Sequence, residues 1–396
     1  MRISIEVFRD EIRVRYSLED LLRVIREILG RGGAKCIPRR SELSDEDRIL
    51  VKALSILGCR YVYLCKRSGE EFYSLEEMGF YEDISPEPLR VFNNTEELIY
   101  RNWPTPLVKL RSLSREGVSL WAKLEYYNPY SMSIKDRIAW YMIKNLVEEF
   151  SLEDREKVLY EATSTNTGMG LAAVGALHGF SAKLYIPSTI QRASDTILAV
   201  MGAEVHRVPK RLTVEFVDDV DRIAREARGV HLNQFVNDYN FFAHLRYTAK
   251  ELDLQIRHGG LRLRGVIASL GTSGHFSALS LYYKSRYGEH IKMYAVQPAP
   301  EEVIPGTRRI ETGMKWIHLV SYDRVIDVRL EEAIREAIQV ARSEGLFIGL
   351  SSGAVVAGFK KLLEEGALEK GDYVAVFPDH GFKYIEQYSK YLEKRT

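Results

Sequence analysis

Hydrophobic and polar positions follow one pattern over residues 1–95 and another beyond them. Ile3, Ile5 and Val7 alternate with polar residues, and Ile12, Val14 and Tyr16 repeat the alternation after Asp10-Glu11. That period of two predicts a hairpin of half-buried strands. Ser17 stands where an N-cap belongs, Leu18, Leu21, Leu22, Ile25 and Ile28 follow at helical spacing, and Gly30 ends the run. A second helix is predicted over about 45–57, between Ser44 and Gly58, and a strand over 61–64. Ile84-Ser85-Pro86-Glu87-Pro88 reads as a linker. These residues carry no chemical motif, so 1–95 is expected to form a small accessory α+β domain.

From about Trp103 the chain alternates between apolar strand-like runs and helical periodicity. The strand-like runs are Val118–Leu124, 157–162, 182–187, 204–208, 265–270, 292–296 and 372–377; helical spacing fills gaps such as 137–150, 214–227 and Leu330–Glu344. Repeated βα units predict an α/β fold of parallel-rich sheets with helices on both faces. Ligands of such sheets bind beyond the carboxyl ends of the strands.

Composition narrows the function without naming it. With 396 residues, the chain is long enough for two or three domains at roughly 150 residues each. Its 56 Lys+Arg against 55 Asp+Glu leave a net charge of +1, which argues against a nucleic-acid binder. Cys36, Cys59 and Cys65 form no CxxC pair, so they read as buried thiols, and no metal site is expected. No apolar run reaches the 18 or so residues of a membrane span. Arg2, Glu6, Arg9 and Asp10 interrupt any signal-peptide core, so a cytoplasmic protein is expected.

Four predicted strand-to-helix junctions carry the candidate chemistry. Asn128-Pro129-Tyr130-Ser131-Met132-Ser133-Ile134-Lys135-Asp136-Arg137 puts a lysine in the first turn of a helix, where the dipole disfavours a cation. Desolvation there would lower its pKa and make it a better nucleophile; a solvated helix face is the plainer reading. Glu161-Ala162-Thr163-Ser164-Thr165-Asn166-Thr167-Gly168 offers consecutive hydroxyl and amide groups, suited either to binding a carboxylate or to capping. Gly271-Thr272-Ser273-Gly274-His275 follows an apolar strand and fits a small phosphate; it is neither a P-loop nor a GxGxxG fingerprint. His275 has no second ligand at metal spacing and reads as a helix-start or packing residue. In Gly349-Leu350-Ser351-Ser352-Gly353 a serine cap is the plain expectation.

The order of the four loops, between residues 128 and 353, is more specific than any one of them. Together they resemble the β-family (fold type II) of pyridoxal-phosphate enzymes, over roughly residues 100–390. Within that family the likeness is to the cysteine synthase and cystathionine β-synthase branch. The added N-terminal domain and the run Ile304-Pro305-Gly306-Thr307-Arg308-Arg309-Ile310-Glu311-Thr312-Gly313 are similar to archaeal O-phosphoserine sulfhydrylases.

The resemblance implies a catalytic part over 96–396, with a smaller mobile subdomain over about 137–250 and a larger one from 96–136 and 251–396. It implies pyridoxal 5'-phosphate as cofactor and Lys135 as the Schiff-base lysine. Asn166 would bond the ring hydroxyl, Gly271, Thr272, Ser273, Gly274 and His275 would hold the phosphate, and Ser351 would face the ring nitrogen. Thr163, Ser164, Thr165, Thr167 and Gln234 would cradle the substrate carboxylate. Arg308, or else Arg309, would meet the phosphate of O-phosphoserine, since arginine's planar fork suits a phosphate dianion. The expected reaction is β-elimination followed by β-replacement, giving cysteine from O-phosphoserine and sulfide in a homodimer. Cystathionine β-synthase, O-acetylserine sulfhydrylase and a serine or threonine dehydratase are alternatives, as is a catalytically inactive regulatory or scaffold protein. Two positions depart from the family: Thr165 in place of glycine in TSGNTG, and GTSGH in place of GTGGT.

Overall fold

The structure, a computed structural model, describes four N-terminal strands and residues 90–115, 117–149 and 157–394. β1 (Ser4–Phe8) pairs antiparallel with β2 (Glu11–Arg15), setting Ile5 opposite Val14 and Val7 opposite Ile12. β3 (Tyr61–Lys66) pairs likewise with β4 (Gly69–Ser74), a strand whose few apolar residues hid it from periodicity. The predicted helices over 17–30 and 45–57, the linker at 84–88, and Cys36 and Cys59 lie outside the described residues.

The remainder alternates strand and helix. In chain order come β5 (Leu107–Arg115), β6 (Val118–Leu124), α1 (Lys135–Glu149), β7 (Val158–Ala162), α2 (Thr165–Leu177), β8 (Ser181–Pro187) and α3 (Ala193–Val200). Then follow β9 (Ala203–Val208), α4 (Val217–Glu226), β10 (Val230–His231), α5 (Asp238–Ala243), α6 (Lys250–His258), β11 (Leu263–Ser269) and α7 (Gly274–Tyr287). β12 (Lys292–Pro298), β13 (Arg324–Val328), α8 (Leu330–Glu344), α9 (Leu350–Glu364), β14 (Gly371–Phe377) and α10 (Ile385–Glu393) complete it.

Two sheets result. The smaller has the order β10-β7-β8-β9 and is parallel throughout; the larger has the order β13-β12-β11-β14-β6-β5, with only β5 antiparallel. The strands of the larger sheet are apolar on both faces because both are covered. Val266, Ala268, Val374 and Val376 pack into one core, while Ile267, Ala375 and Phe377 pack into another on the opposite face. β13 and β5 escaped the hydrophobic pattern because they are the edges of the larger sheet, and exposed residues interrupt their few buried ones.

Beneath the larger sheet's carboxyl edge lies a set of buried charges. Arg137 Nε donates to Glu125 Oε2 at 2.6 Å and its Nη2 donates to Glu251 Oε1 at 2.6 Å; Lys123 Nζ donates to the same Glu251 oxygen at 2.5 Å. None of the four side chains is more than 3% exposed. The guanidinium also lies 4.3 Å from the Trp103 ring centroid. Two cations and two anions balance, and removing one partner leaves an uncompensated buried charge. Glu251→Gln is therefore expected to lose about 3–5 kcal/mol of stability in urea unfolding. Asp219→Asn, at the exposed pair with Arg222, is expected to leave the midpoint unchanged.

Candidate active site

The carboxyl ends of both sheets face one cleft, a cavity of about 140 Å³ that opens to solvent. Lys135, Asn166, Gln234, His275, Arg308 and Ser351 are among its lining residues, although they come from positions up to 216 residues apart.

Lys135 is the first residue of α1, and the loop before it is knit tightly. The buried Asp136 carboxylate accepts the amides of Tyr130 at 2.7 Å and Ser131 at 2.9 Å, and the Ser131 hydroxyl as well. The Ile134 amide donates to the Pro378 carbonyl at 2.8 Å, which ties the loop to the end of β14. Burial lowers the Lys135 pKa to about 8; Asp379 opposes the shift and Arg308 adds to it. Burial, opposed by the hydrogen bonds from Ser131 and Tyr130, raises Asp136 to about 6.

The hydroxyl-rich loop divides its groups. Ser164, Asn166 and Thr167 line the cavity. Thr163 Oγ1 donates to the Ser164 carbonyl at 2.8 Å, and Thr165 Oγ1 shares a 2.6 Å hydrogen bond with Ser194, so neither hydroxyl is free. Thr167 Oγ1 donates to Gln234 Oε1 at 2.8 Å, which joins two candidate residues 67 positions apart. Asn166 Nδ2 donates to Asp379 Oδ2 at 2.7 Å, leaving Oδ1 buried without a partner.

The glycine-rich loop is set by close approach. A Cβ at Gly271 would stand 2.8 Å from the Gly306 carbonyl, and one at Gly274 would stand 2.2 Å from Asn240 Oδ1. Asn240 is fully buried and donates to Thr272 Oγ1 at 3.0 Å, so it cannot yield easily. Ser273, at φ +73°, takes the left-handed conformation that a glycine would adopt more readily, and its hydroxyl is buried without a partner. His275 is buried one residue into α7; burial first, and then Lys135, hold its pKa down at about 3.

Two expectations are corrected here. The N-cap of α9 is Gly349, so neither Ser351 nor Ser352 caps the helix; both lie buried within its first turn. Ser351 Oγ donates instead to Asp379 Oδ1 at 3.4 Å. Arg309 stands apart from the cavity: its guanidinium bonds the Pro298 carbonyl, Asp327 and Glu311. Arg308 lines the cavity, with Nε donating to the Gly271 carbonyl at 2.7 Å.

Asp379 escaped the sequence reading. It is buried and gathers Asn166, Ser351 and the Tyr384 hydroxyl around one carboxylate. Its position two residues past β14, at the carboxyl end of a predicted strand, was the available signal. Arg211 was missed too; it reaches across the mouth, with Nη2 donating to the Glu301 carbonyl at 2.6 Å.

The family profile described as pyridoxal-phosphate dependent enzyme matches residues 99–379. The chain belongs to that family. Cysteine synthase B of Pseudomonas aeruginosa is 35% identical over 285 residues, 71% of this chain and 93% of that protein. A cysteine synthase of Aquifex aeolicus is 33% identical over 296 residues, 71% of this chain and 88% of that protein. Among solved structures, a cysteine synthase of Entamoeba histolytica superposes with a TM-score of 0.64 at 28% identity, covering 77% of this chain and 92% of that one. A hydrogen sulfide-producing enzyme of Fusobacterium nucleatum gives 0.66 at 27% identity, covering 74% and 100%. This pyridoxal-phosphate dependent enzyme is thus of the cysteine synthase kind, with pyridoxal phosphate as cofactor.

The residues present fit that cofactor. Partnerless buried atoms at Asn166 Oδ1 and Arg308 Nη2 belong to residues that line the cleft, and Ser273 Oγ, also partnerless, stands at the N-cap of α7. Lys135 would supply an amine for the cofactor aldehyde, and the amides at the start of α7 would suit its phosphate. Among the described residues no group of three or more His, Cys, Asp or Glu could hold a metal ion, and no helix is long and apolar enough to cross a membrane.

Two measurements probe this site. In cofactor-stripped protein, labelling of Lys135 by an amine-selective reagent is expected to rise with pH around a midpoint near 8, because the neutral amine reacts. Lysines with unperturbed amines are labelled around pH 10.4. Gly274→Ala is expected to displace Asn240 and weaken cofactor binding at least tenfold in an absorbance titration, the equivalent of about 1.4 kcal/mol.

Proposed function

We propose that this enzyme makes L-cysteine from O-phospho-L-serine and sulfide, and Arg308 is the observation that carries the reading. Its side chain is 7% exposed, its guanidinium lies 5.0 Å from the Phe235 ring centroid, and Nη2 is buried without a partner. Burial alone lowers its pKa to about 10, with no carboxylate to offset it. A buried cation lacking a counter-charge favours a dianionic ligand, and a phosphate leaving group provides one where an acetyl group does not. The run 304–313 that carries Arg308 resembles archaeal O-phosphoserine sulfhydrylases, which supports the same choice.

Pyridoxal phosphate, when bound, supplies an electron sink that acidifies the amino-acid Cα–H and so makes a β-leaving group expellable. Thr167, Ser164 and Gln234 hold the α-carboxylate. Lys135 Nζ takes the Cα proton, and a pKa near 8 leaves part of the amine neutral at physiological pH. The Cβ–O bond breaks with its electron pair on the phosphate oxygen, and Arg308 holds the departing phosphate. Hydrosulfide then forms the Cβ–S bond, and the proton on Lys135 returns to Cα.

Arg308→Ala is expected to raise KM for O-phosphoserine by roughly 10- to 150-fold, the equivalent of about 1.5–3 kcal/mol for a charged hydrogen bond. O-acetylserine turnover by the same variant is expected to be nearly unchanged. Equal losses on both substrates, accompanied by weaker cofactor binding, would assign Arg308 to the cofactor instead. Lys135→Ala is expected to abolish turnover of both substrates while far-UV circular dichroism stays native.

A further inference from the structure

Glu161 has no place in the cavity lining, yet its carboxyl group sits behind one wall of it. It is the penultimate residue of β7 and 1% exposed. Its Oε2 accepts the Asn233 amide at 3.0 Å and its Oε1 accepts the Gln234 amide at 3.2 Å. Asn233 is held at φ +52°, a conformation few non-glycine residues adopt, and its carbonyl accepts the amides of Val236 and Asn237 at 3.1 and 3.0 Å. This turn presents Gln234 to the cleft. Gln234 Nε2 donates to the Ala162 carbonyl at 3.1 Å, Oε1 receives Thr167, and the Gln234 carbonyl receives Asn240 Nδ2 at 2.7 Å.

A carboxylate is the side chain suited to this position, because both of its oxygens accept. A carboxamide would offer one acceptor and turn its NH₂ toward the other backbone N–H. Burial raises the Glu161 pKa to about 8, against the pull of the two amides, so the ionised form that accepts from both is held at a desolvation cost and prevails above that pH. His231 Nε2 stands 4.0 Å from Oε2.

We propose that Glu161 is a positioning residue whose two carboxylate oxygens hold the Asn233-Gln234 turn and thereby preset the Gln234 side chain for the α-carboxylate of the amino-acid substrate. The inference rests on reading Gln234 and Thr167 as part of that substrate's cradle.

The experiment compares cofactor-saturated wild type, Glu161→Gln, Gln234→Ala and the double variant at pH 9, where Glu161 is ionised. Amide exchange at 233 and 234 is expected to quicken about tenfold or more in Glu161→Gln, as one of the two hydrogen bonds is lost. KM for O-phosphoserine and for O-acetylserine is expected to rise together by about tenfold or more, while kcat and the KM for sulfide change little. In the Gln234→Ala background, Glu161→Gln is expected to add nothing further to KM, since one residue acts through the other. Multiplicative effects in the double variant, faster exchange with unchanged KM, or a fall in kcat alone would overturn the proposal. Should Glu161→Gln not fold, Glu161→Asp keeps both acceptors on a shorter arm and must raise KM without altering the bound-cofactor spectrum. If Gln234→Ala leaves KM unchanged, the cradle reading fails and this inference with it. If Gln234→Ala raises KM and Glu161→Gln does not, only the role given to Glu161 fails.

Discussion

Arg137 stands two residues after Lys135, with its guanidinium between the carboxylates of Glu125 and Glu251 and no exposure on any side, so the first turn of α1 cannot shift without separating buried opposite charges. Glu125 follows β6, Glu251 belongs to α6, and Lys123 on β6 shares the Glu251 oxygen. Three elements are thereby pinned at one point. Such a cluster adds little to stability over an apolar core, but its arrangement cannot lose one partner without leaving a buried charge uncompensated. That arrangement sets where the Lys135 amine emerges. The neighbouring lysine lacks any comparable counter-charge, and burial therefore wins over the attraction of Asp379.

The cleft exists because parallel strands all end at the same edge, and two such sheets face each other there. Each carboxyl end contributes a short loop and the start of a helix, so polar side chains and free backbone amides converge on one space. Asp379 binds the halves together. Its carboxylate accepts from Asn166, at the start of a helix packed on the smaller sheet, and from Ser351, at the start of a helix packed on the larger. Gln234 makes a second link, joining Thr167 in the smaller half to Asn240 and, through Asn240, to Thr272 on the glycine-rich loop that follows β11 of the larger sheet.

Much of this was legible in the chain. Apolar runs long enough to be buried on both faces marked β6, β7, β8, β11, β12 and β14, and the polar loops after them marked where a ligand sits. Gly271-Thr272-Ser273-Gly274-His275 was readable as an anion loop because glycine admits close backbone approach. Arg308 and Arg309 were both candidates, and folding separates them: the Arg308 side chain turns toward the Gly271 carbonyl, that of Arg309 toward Asp327 and Glu311. The edge strands β5 and β13 of the larger sheet were not legible, because exposed residues interrupt their few buried ones, whereas β9, at an edge of the smaller sheet, was.

Residue type and local spacing by themselves determined the βα alternation, the lysine at a helix start, and the groups able to bind carboxylate and phosphate, because these depend on neighbours in the chain. Which of those groups face the cleft was decided only by tertiary structure. Thr163 and Thr165 carry the same hydroxyl as Thr167, yet only Thr167 lines the cleft, while theirs bond the Ser164 carbonyl and the Ser194 hydroxyl. Asp379 and Glu161 look like ordinary carboxylates in the sequence; they become organising groups because folding buries them against amides and hydroxyls from distant segments. Desolvation and hydrogen-bond partnership arise from contacts between residues far apart in the chain, and no local pattern encodes them.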